Sequence, residues 1–302
     1  MRIQTYFGIP MIVGLGFVLS GATAAPASKH HPKAAPKLAE KVLLDIDGQV
    51  YPQDGFPESC KNLFKGVKCP LPGYGTYHDV SVQDGDLVHS TATFTGPDGV
   101  QLVEDSWEKD GRVQKAVIDN HVLGKKSEIE IKDGKIYYQV TDRDGDVKKD
   151  DADAEPELVV PSTVMSYVRP RFPDLLAGKE VKLKVIVPDR MDSFTFYMKK
   201  IREEKSVDGD TIMVLEMKPS SIIVRAFVDK MLFYVRPKTG EMFAFQGKSS
   251  LHRKVGDDYK DIISNTAYEY KVNAFAHATS SVAQTKIDPC TFEKNKCEVK
   301  SE

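Results

Sequence analysis

The sequence has little of what marks an enzyme or a nucleic-acid-binding protein. It holds four cysteines and one tryptophan in 302 residues. It has no basic field: 42 Lys and Arg stand against 44 Asp and Glu, for a net charge of −2, and the two signs are interleaved. A polyanion finds no electrostatic footprint there, so nucleic acid is not an expected partner. No apolar run after the first twenty residues is long enough to cross a bilayer, so the mature chain is read without a transmembrane span. A glycine-rich loop that follows a strand and opens a helix is also missing, and no nucleotide or other cofactor is expected. His78, His89, His121, His252 and His277 show neither metal-ligand spacing nor an H-E-x-x-H helix, so no metal is expected either.

What is present begins with an export signal. Arg2 gives a positive start, Ile9 to Leu19 an uncharged apolar run, and Ala22-Thr23-Ala24 a small-residue cleavage site. Residues 1–24 are read as a signal peptide cut near Ala24, which removes one basic residue and no acidic one. No cysteine follows the run, so a lipid anchor is not expected. Residues 25–41, rich in Pro, Ala and Lys, read as a flexible tether, and His30-His31 within it as solvated. Ordered structure is expected from Val42-Leu43-Leu44, with one β domain over 42–275 in which two subdomains could meet near 150–160. A tail follows over 276–302.

Four cysteines in an exported chain read as two disulfides, and four cysteines allow three connectivities. Short separation favours Cys60–Cys69 and Cys290–Cys297. The alternative joins the C-terminal pair to the N-terminal one. Neither pair has the two-residue spacing of redox or zinc sites.

Turn punctuation dominates the middle of the chain. Asp-Gly occurs at 47–48, 54–55, 84–85, 98–99, 110–111, 133–134, 144–145 and 208–209. Tight hairpin turns need positive φ, which glycine adopts freely and aspartate better than most residues. Strand-like runs lie between these turns at 87–94, 100–109, 112–118, 127–131 and 135–141. Short connections between successive runs require antiparallel pairing, since parallel strands need long crossovers. Residues 148–157 are acidic and polar. Pro161-Ser162-Thr163 then predicts a short helix through Tyr167 with Ser162 as its cap, stopped by Pro170 and Pro173. Further strands are predicted at 180–187, 193–200, 211–217, 231–235, 241–246 and 267–272, while 220–227 fits a helical turn or a strand. The fold class is mainly β: an antiparallel meander with one or two short helices.

The later strands are apolar on both faces, as in Thr211-Ile212-Met213-Val214-Leu215, Met231-Leu232-Phe233-Tyr234-Val235 and Met242-Phe243-Ala244-Phe245. Such strands need cover on both sides. That cover is either a packed helix or second sheet, or a ligand held on a concave inner face. Strict alternation nominates Phe233, Val235, Phe243 and Phe245 as one such face, the opposite set being the alternative.

Three short motifs do not carry chemistry. Ser106-Trp107-Glu108-Lys109 and Lys238-Thr239-Gly240 match the S-x-x-K and K-T-G patterns of serine-lysine acyl enzymes. Residues three apart on a strand point to opposite faces, however, and no catalytic residue is expected. Aligning Asp142 to Asp146 with a calcium loop puts Val140 at the first ligand position and Asp151 where a bidentate Glu is needed, so it reads as a hairpin tip. Trp107, alone on a strand, is expected in the core.

Val160-Pro161-Ser162-Thr163, Leu176-Ala177-Gly178-Lys179, Val187-Pro188-Asp189-Arg190, Met217-Lys218-Pro219-Ser220-Ser221 and Phe245-Gln246-Gly247 follow one another in a familiar order. This half of the chain resembles uncharacterised exported bacterial envelope proteins related to open, curved β-sheets of the lipoprotein-carrier kind. The resemblance implies a periplasmic setting, a curved open half-barrel, and no catalytic residue to carry over. The expected function is a non-catalytic periplasmic binding or carrier protein, acting as a monomer, for an apolar or amphipathic envelope component such as a lipid or lipoprotein. An envelope scaffold, and a hydrolase whose site is assembled only by folding, are the alternatives.

Overall fold

The structure is a computed structural model describing residues 41–221, 230–256 and 258–276. The signal segment, almost all of the tether, and the Cys290–Cys297 pair lie outside the described residues, as does most of 220–227.

Fifteen strands form one sheet. The first eight are β1 (Val42–Pro52), β2 (Gly75–Asp84), β3 (Leu87–Gly96), β4 (Gly99–Lys109), β5 (Arg112–Asn120), β6 (Lys125–Lys132), β7 (Lys135–Thr141) and β8 (Val147–Asp153). The remainder are β9 (Leu158–Val159), β10 (Val181–Val187), β11 (Asp192–Lys205), β12 (Thr211–Pro219), β13 (Met231–Arg236), β14 (Glu241–Val255) and β15 (Asp258–Asn273). The order across the sheet is β8-β7-β6-β5-β4-β3-β2-β1-β15-β14-β13-β12-β11-β10-β9. Two meanders are thus joined edge to edge where β1 pairs antiparallel with β15. All neighbours are antiparallel except β9 and β10.

The connectivity forces the sheet to curl. Fourteen inter-strand spacings would make a flat sheet ~67 Å wide. Yet its outermost strands, β8 and β9, are linked only by residues 154–157, a reach of about 18 Å from Asp153 to Leu158. The edges must therefore come close together. They do so by overlap, without closing the hydrogen-bond ladder. Leu158, Val160 and Ile186 from the β9–β10 edge pack against Leu102, Ile118, Ile129, Ile136 and Tyr138 of β4 to β7.

Most of the predicted strands and turns are present. At Asp110-Gly111 and Asp133-Gly134 both residues have positive φ, as tight hairpins require. Asp47-Gly48 is different, because it lies inside β1. There a Cβ on Gly48 would meet Tyr77 Cβ at 3.0 Å and the Tyr268 ring at 3.2 Å, so this glycine serves close side-chain approach. The acidic run after Val147 is also a strand, β8, exposed along its whole length. Its charged residues, two lysines followed by three aspartates, blunt an open sheet edge.

Between β9 and β10 the chain crosses the concave side as a 3-10 turn (Pro161–Thr163), α1 (Val164–Val168), a second 3-10 turn (Arg169–Arg171) and α2 (Phe172–Leu176). Ser162 is not the cap. The first turn opens at Val160, whose N–H donates to Thr163 Oγ1 at 3.1 Å. Among the described residues no helix is long and apolar enough to cross a membrane.

The two-faced strands are covered on both sides. On the concave side Met213, Leu215, Met217, Phe233 and Val235 pack against Val164, Val168, Phe172 and Leu175 of the helical crossover. On the convex side Ile212, Val214, Leu232, Tyr234 and Phe243 lie under Tyr51, Leu63 and the Cys60–Cys69 bridge. That bridge closes the loop holding a 3-10 helix (Glu58–Lys65), and Phe64 lies 4.6 Å from the Tyr234 ring.

Candidate functional site

The concave side encloses a cavity of about 840 Å³. Its apolar part is lined by Phe194, Met217, Met231, Phe233, Met242 and Phe245, and by Val164 and Met165 from α1. Phe194, Met231, Met242 and Phe245 pack on the core yet remain only half-buried. A filled core would cover such side chains fully. A separate depression of about 590 Å³ over β5 to β8 is lined by Lys115, Glu128, Glu130, Lys149, Asp150 and Asp151, and lacks a comparable apolar lining.

Of the four nominated residues, Phe233 and Phe245 line the cavity, with their rings 5.1 Å apart. Val235 is fully buried beneath it in the concave core. Phe243 is on the other face, contrary to strict alternation. Tyr234 pairs with Ala244 but Val235 pairs with Met242, so one residue of β14 is bulged out. The bulge puts Phe243 and Ala244 together in the convex cluster.

Sequence reasoning missed the polar half of the cavity. Cross-strand register puts Tyr270, Ile46, Asp79, Ala92 and Glu104 in one row over β15, β1, β2, β3 and β4. The adjacent row begins Tyr268, Gly48, Tyr77 and Phe94. Asp79 is 4 % exposed, and its Oδ2 accepts a hydrogen bond from the Tyr77 hydroxyl at 3.1 Å. Burial, reinforced by Glu104 and Glu108, lifts its carboxyl to about 7. Glu104 Oε1 accepts hydrogen bonds from the Ser162 backbone N–H (3.0 Å) and hydroxyl. Burial raises its carboxyl against those two bonds. Burial also lifts Glu108 to about 7, with Ser166 and Arg169 working the other way. Arg169 is the cation of this interior. Its Nε donates to the Gly240 carbonyl at 3.5 Å, and its guanidinium lies 4.7 Å from the Phe275 ring. The sequence marked this half poorly, because the inward positions, Tyr77, Asp79 and Ser81 on β2 and Leu102, Glu104, Ser106 and Glu108 on β4, make no apolar pattern against which the acids stand out.

The S-x-x-K residues part as strand geometry requires. Ser106 is fully buried, whereas Lys109 is exposed and pairs with Asp86. Trp107 is not in the core; it stacks on His89 at 4.4 Å, with Lys115 Nζ 5.0 Å from its ring. Asp142 Oδ1 accepts hydrogen bonds from the N–H groups of Asp144 and Asp146, forming a hairpin tip. Asp45, Asp47 and His78 converge on the convex face with donor atoms within 4.8 Å of one another. Lys271 Nζ already pairs with Asp47 at 2.7 Å, and the group is an ion-pair network.

The fold and cavity define a class: a curled, open antiparallel β-sheet enclosing an amphipathic cavity. The chain matches no family model and no curated protein. Among solved structures it is similar to a β-barrel-like protein of the domain of unknown function DUF1849 from Brucella abortus. The identity is 10% and the TM-score 0.40, over 76% of this chain and 97% of that one. It is also similar to a domain assigned to an outer membrane lipoprotein-sorting protein from Vibrio parahaemolyticus, at 8% identity and TM-score 0.24, over 76% and 83% of the two chains. Both likenesses are loose, and no functional weight rests on either.

Proposed function

We propose that the protein is a non-catalytic periplasmic carrier that holds an amphipathic envelope component, a lipid or a lipid-bearing molecule, in the concave cavity. The observation that carries this reading is the volume of about 840 Å³ bordered by half-buried Phe194, Met231, Met242 and Phe245. Its size falls in the range of small-molecule sites, and its lining combines a broad apolar surface with a few converging polar groups. The disulfide supports an oxidising compartment. Ser162, which borders the cavity, is bonded to one of the buried acids. Its N–H and hydroxyl both donate to one oxygen of Glu104, which holds the turn in place.

Titration with the uncharged fluorophore N-phenyl-1-naphthylamine tests the reading, alongside native mass spectrometry of protein purified from the producing cells. Saturable binding near one equivalent, displaced by a co-purifying amphiphile, is expected. If the probe does not bind and no small molecule co-purifies, the carrier reading fails in favour of an envelope scaffold.

A further inference from the structure

We infer, building on the carrier reading, that the amphiphile held here presents a protonated amine as its polar end, seated against Asp79. Asp79 is buried and lines the cavity, and while its Oδ2 accepts from Tyr77, its Oδ1 has no hydrogen-bond partner among the described residues. The residues directly across the sheet from it, Ile46 and Ala92, have apolar side chains and cannot supply one. A buried carboxylate oxygen left unpartnered on a side chain that borders a cavity is matched by a hydrogen-bond donor, and best by a charged one.

The balance of charge gives the sign. Among the buried groups of this interior face three acids, Asp79, Glu104 and Glu108, stand against one cation, Arg169, while Arg190, Lys248 and His252 accompany Asp189 and Asp261 on the more exposed part of the lining. Arg169 is directed at the Gly240 carbonyl and the Phe275 ring and makes no ion pair among the described residues. A fatty-acid carboxylate or a phosphate would bring a further negative charge to a site already in excess of it. An ammonium would neutralise that excess and give Asp79 Oδ1 its donor. Ala92, between Asp79 and Glu104 in the row, is the smallest side chain there.

The groups facing Asp79 can be named from every element around it. They are Tyr77 and His78 on its own strand, Glu104 and Glu108 on β4, Tyr268 and Tyr270 on β15, and Arg169 on the crossover. Burial raises all three tyrosines, Tyr270 to about 12, so they stay neutral in the working range. Asp79 and Glu108 titrate near 7 and set the pH dependence. An alkylamine stays protonated throughout this range, so its affinity should fall as the acids take up protons.

The test is displacement of N-phenyl-1-naphthylamine from the full-length protein by dodecylamine and by laurate, below their aggregation concentrations, at pH 8 and pH 5.5. Dodecylammonium is expected to displace the probe at least tenfold more effectively than laurate at pH 8. That advantage should shrink by about tenfold at pH 5.5, where a carboxyl titrating near 7 is ionised in only a small fraction of molecules. Asp79→Asn, nearly isosteric, should lose the amine preference, read as the ratio of dodecylamine to laurate displacement so that any change in probe affinity cancels. Laurate competing equally well at pH 8, or a preference that survives Asp79→Asn, overturns the inference and leaves the carrier reading standing. Failure of the neutral probe to bind wild-type protein overturns both.

Discussion

Asp79 and Glu108 make the protein's stability fall with pH, the reverse of the usual carboxylate pattern. Both carboxyls are lifted to about 7 in the folded state by burial, whereas an unfolded Asp or Glu titrates near about 4. Between those values the native state binds more protons than the unfolded state, so unfolding free energy decreases as pH rises. The loss begins near pH 4 and is complete just above pH 7. It amounts to a few kcal/mol for each group, because each tenfold difference in proton affinity between the folded and unfolded states is worth about 1.4 kcal/mol. Thermal melts should give a higher Tm at pH 5 than at pH 8, and Asp79→Asn should flatten the difference. The acids whose carboxyls are lowered by exposed partners, such as Asp47 with Lys271 and Asp86 with Lys109, act only at lower pH and do not obscure this window. Phe243 and Phe245 supply a second test at this scale. Phe243→Asp puts an unpaired charge under the disulfide loop and should unfold the protein, at a cost of about 3–5 kcal/mol. Phe245→Asp, at the half-buried cavity wall, should fold and lose probe binding. Circular dichroism melts paired with probe titration separate the two, and the reverse pattern would show the bulge to be misplaced. Residue alternation made Phe233 and Phe245 legible. It misplaced Phe243 because a bulge adds a residue without any compositional mark.

The elements were legible in proportion to how sharply their ends are punctuated. The run from β3 to β7 could be read because Asp-Gly turns bound its hairpins, except the one at 121–124. Strand β2 was missed since Gly73 and Gly75 blur its start and its inward positions, Tyr77, Asp79 and Ser81, make no apolar pattern. Strand β8 was read as a linker because an edge strand protected by charge has a linker's composition. The loop closed by Cys60–Cys69 was legible as a disulfide, though its job was not. It caps the convex face of β12 to β14, which would otherwise expose Ile212, Val214 and Tyr234. Replacing both cysteines with serine should cost about 2–3 kcal/mol by chain entropy alone. It should also raise hydrogen exchange in β12 and β13 before the rest of the sheet, and exchange rising evenly everywhere would argue against the capping role.

For the whole molecule, the curl follows from four linking residues between the two sheet edges, and the cavity follows from the curl. Sequence alone could not give this, because it depends on which strands are neighbours, and β1–β15 pairing joins positions more than two hundred residues apart. That seam should behave as a single point of failure. Ala267 on β15 pairs with Gln49 on one side and Ala244 on the other. Ala267→Pro removes an N–H and inserts a ring in a central strand, for a cost of about 3 kcal/mol or more. Urea unfolding should show Trp107 fluorescence on β4 and hydrogen exchange on β12 lost together at a lower midpoint. Independent transitions would mean the meanders are stable apart.

The same seam orders events in time. The middle of the sheet is made first and last, and its two edges are made in between. As the chain leaves the ribosome, β1 has one neighbour and waits through thirteen further strands for the other, while β14 emerges with one side open. Each meander can zip locally and fast, but the join is a long-range closure and therefore slow. Until β15 arrives, β1 and β14 are two exposed strand edges whose most available partners are each other, and a chaperone acting on this protein would have to keep them apart.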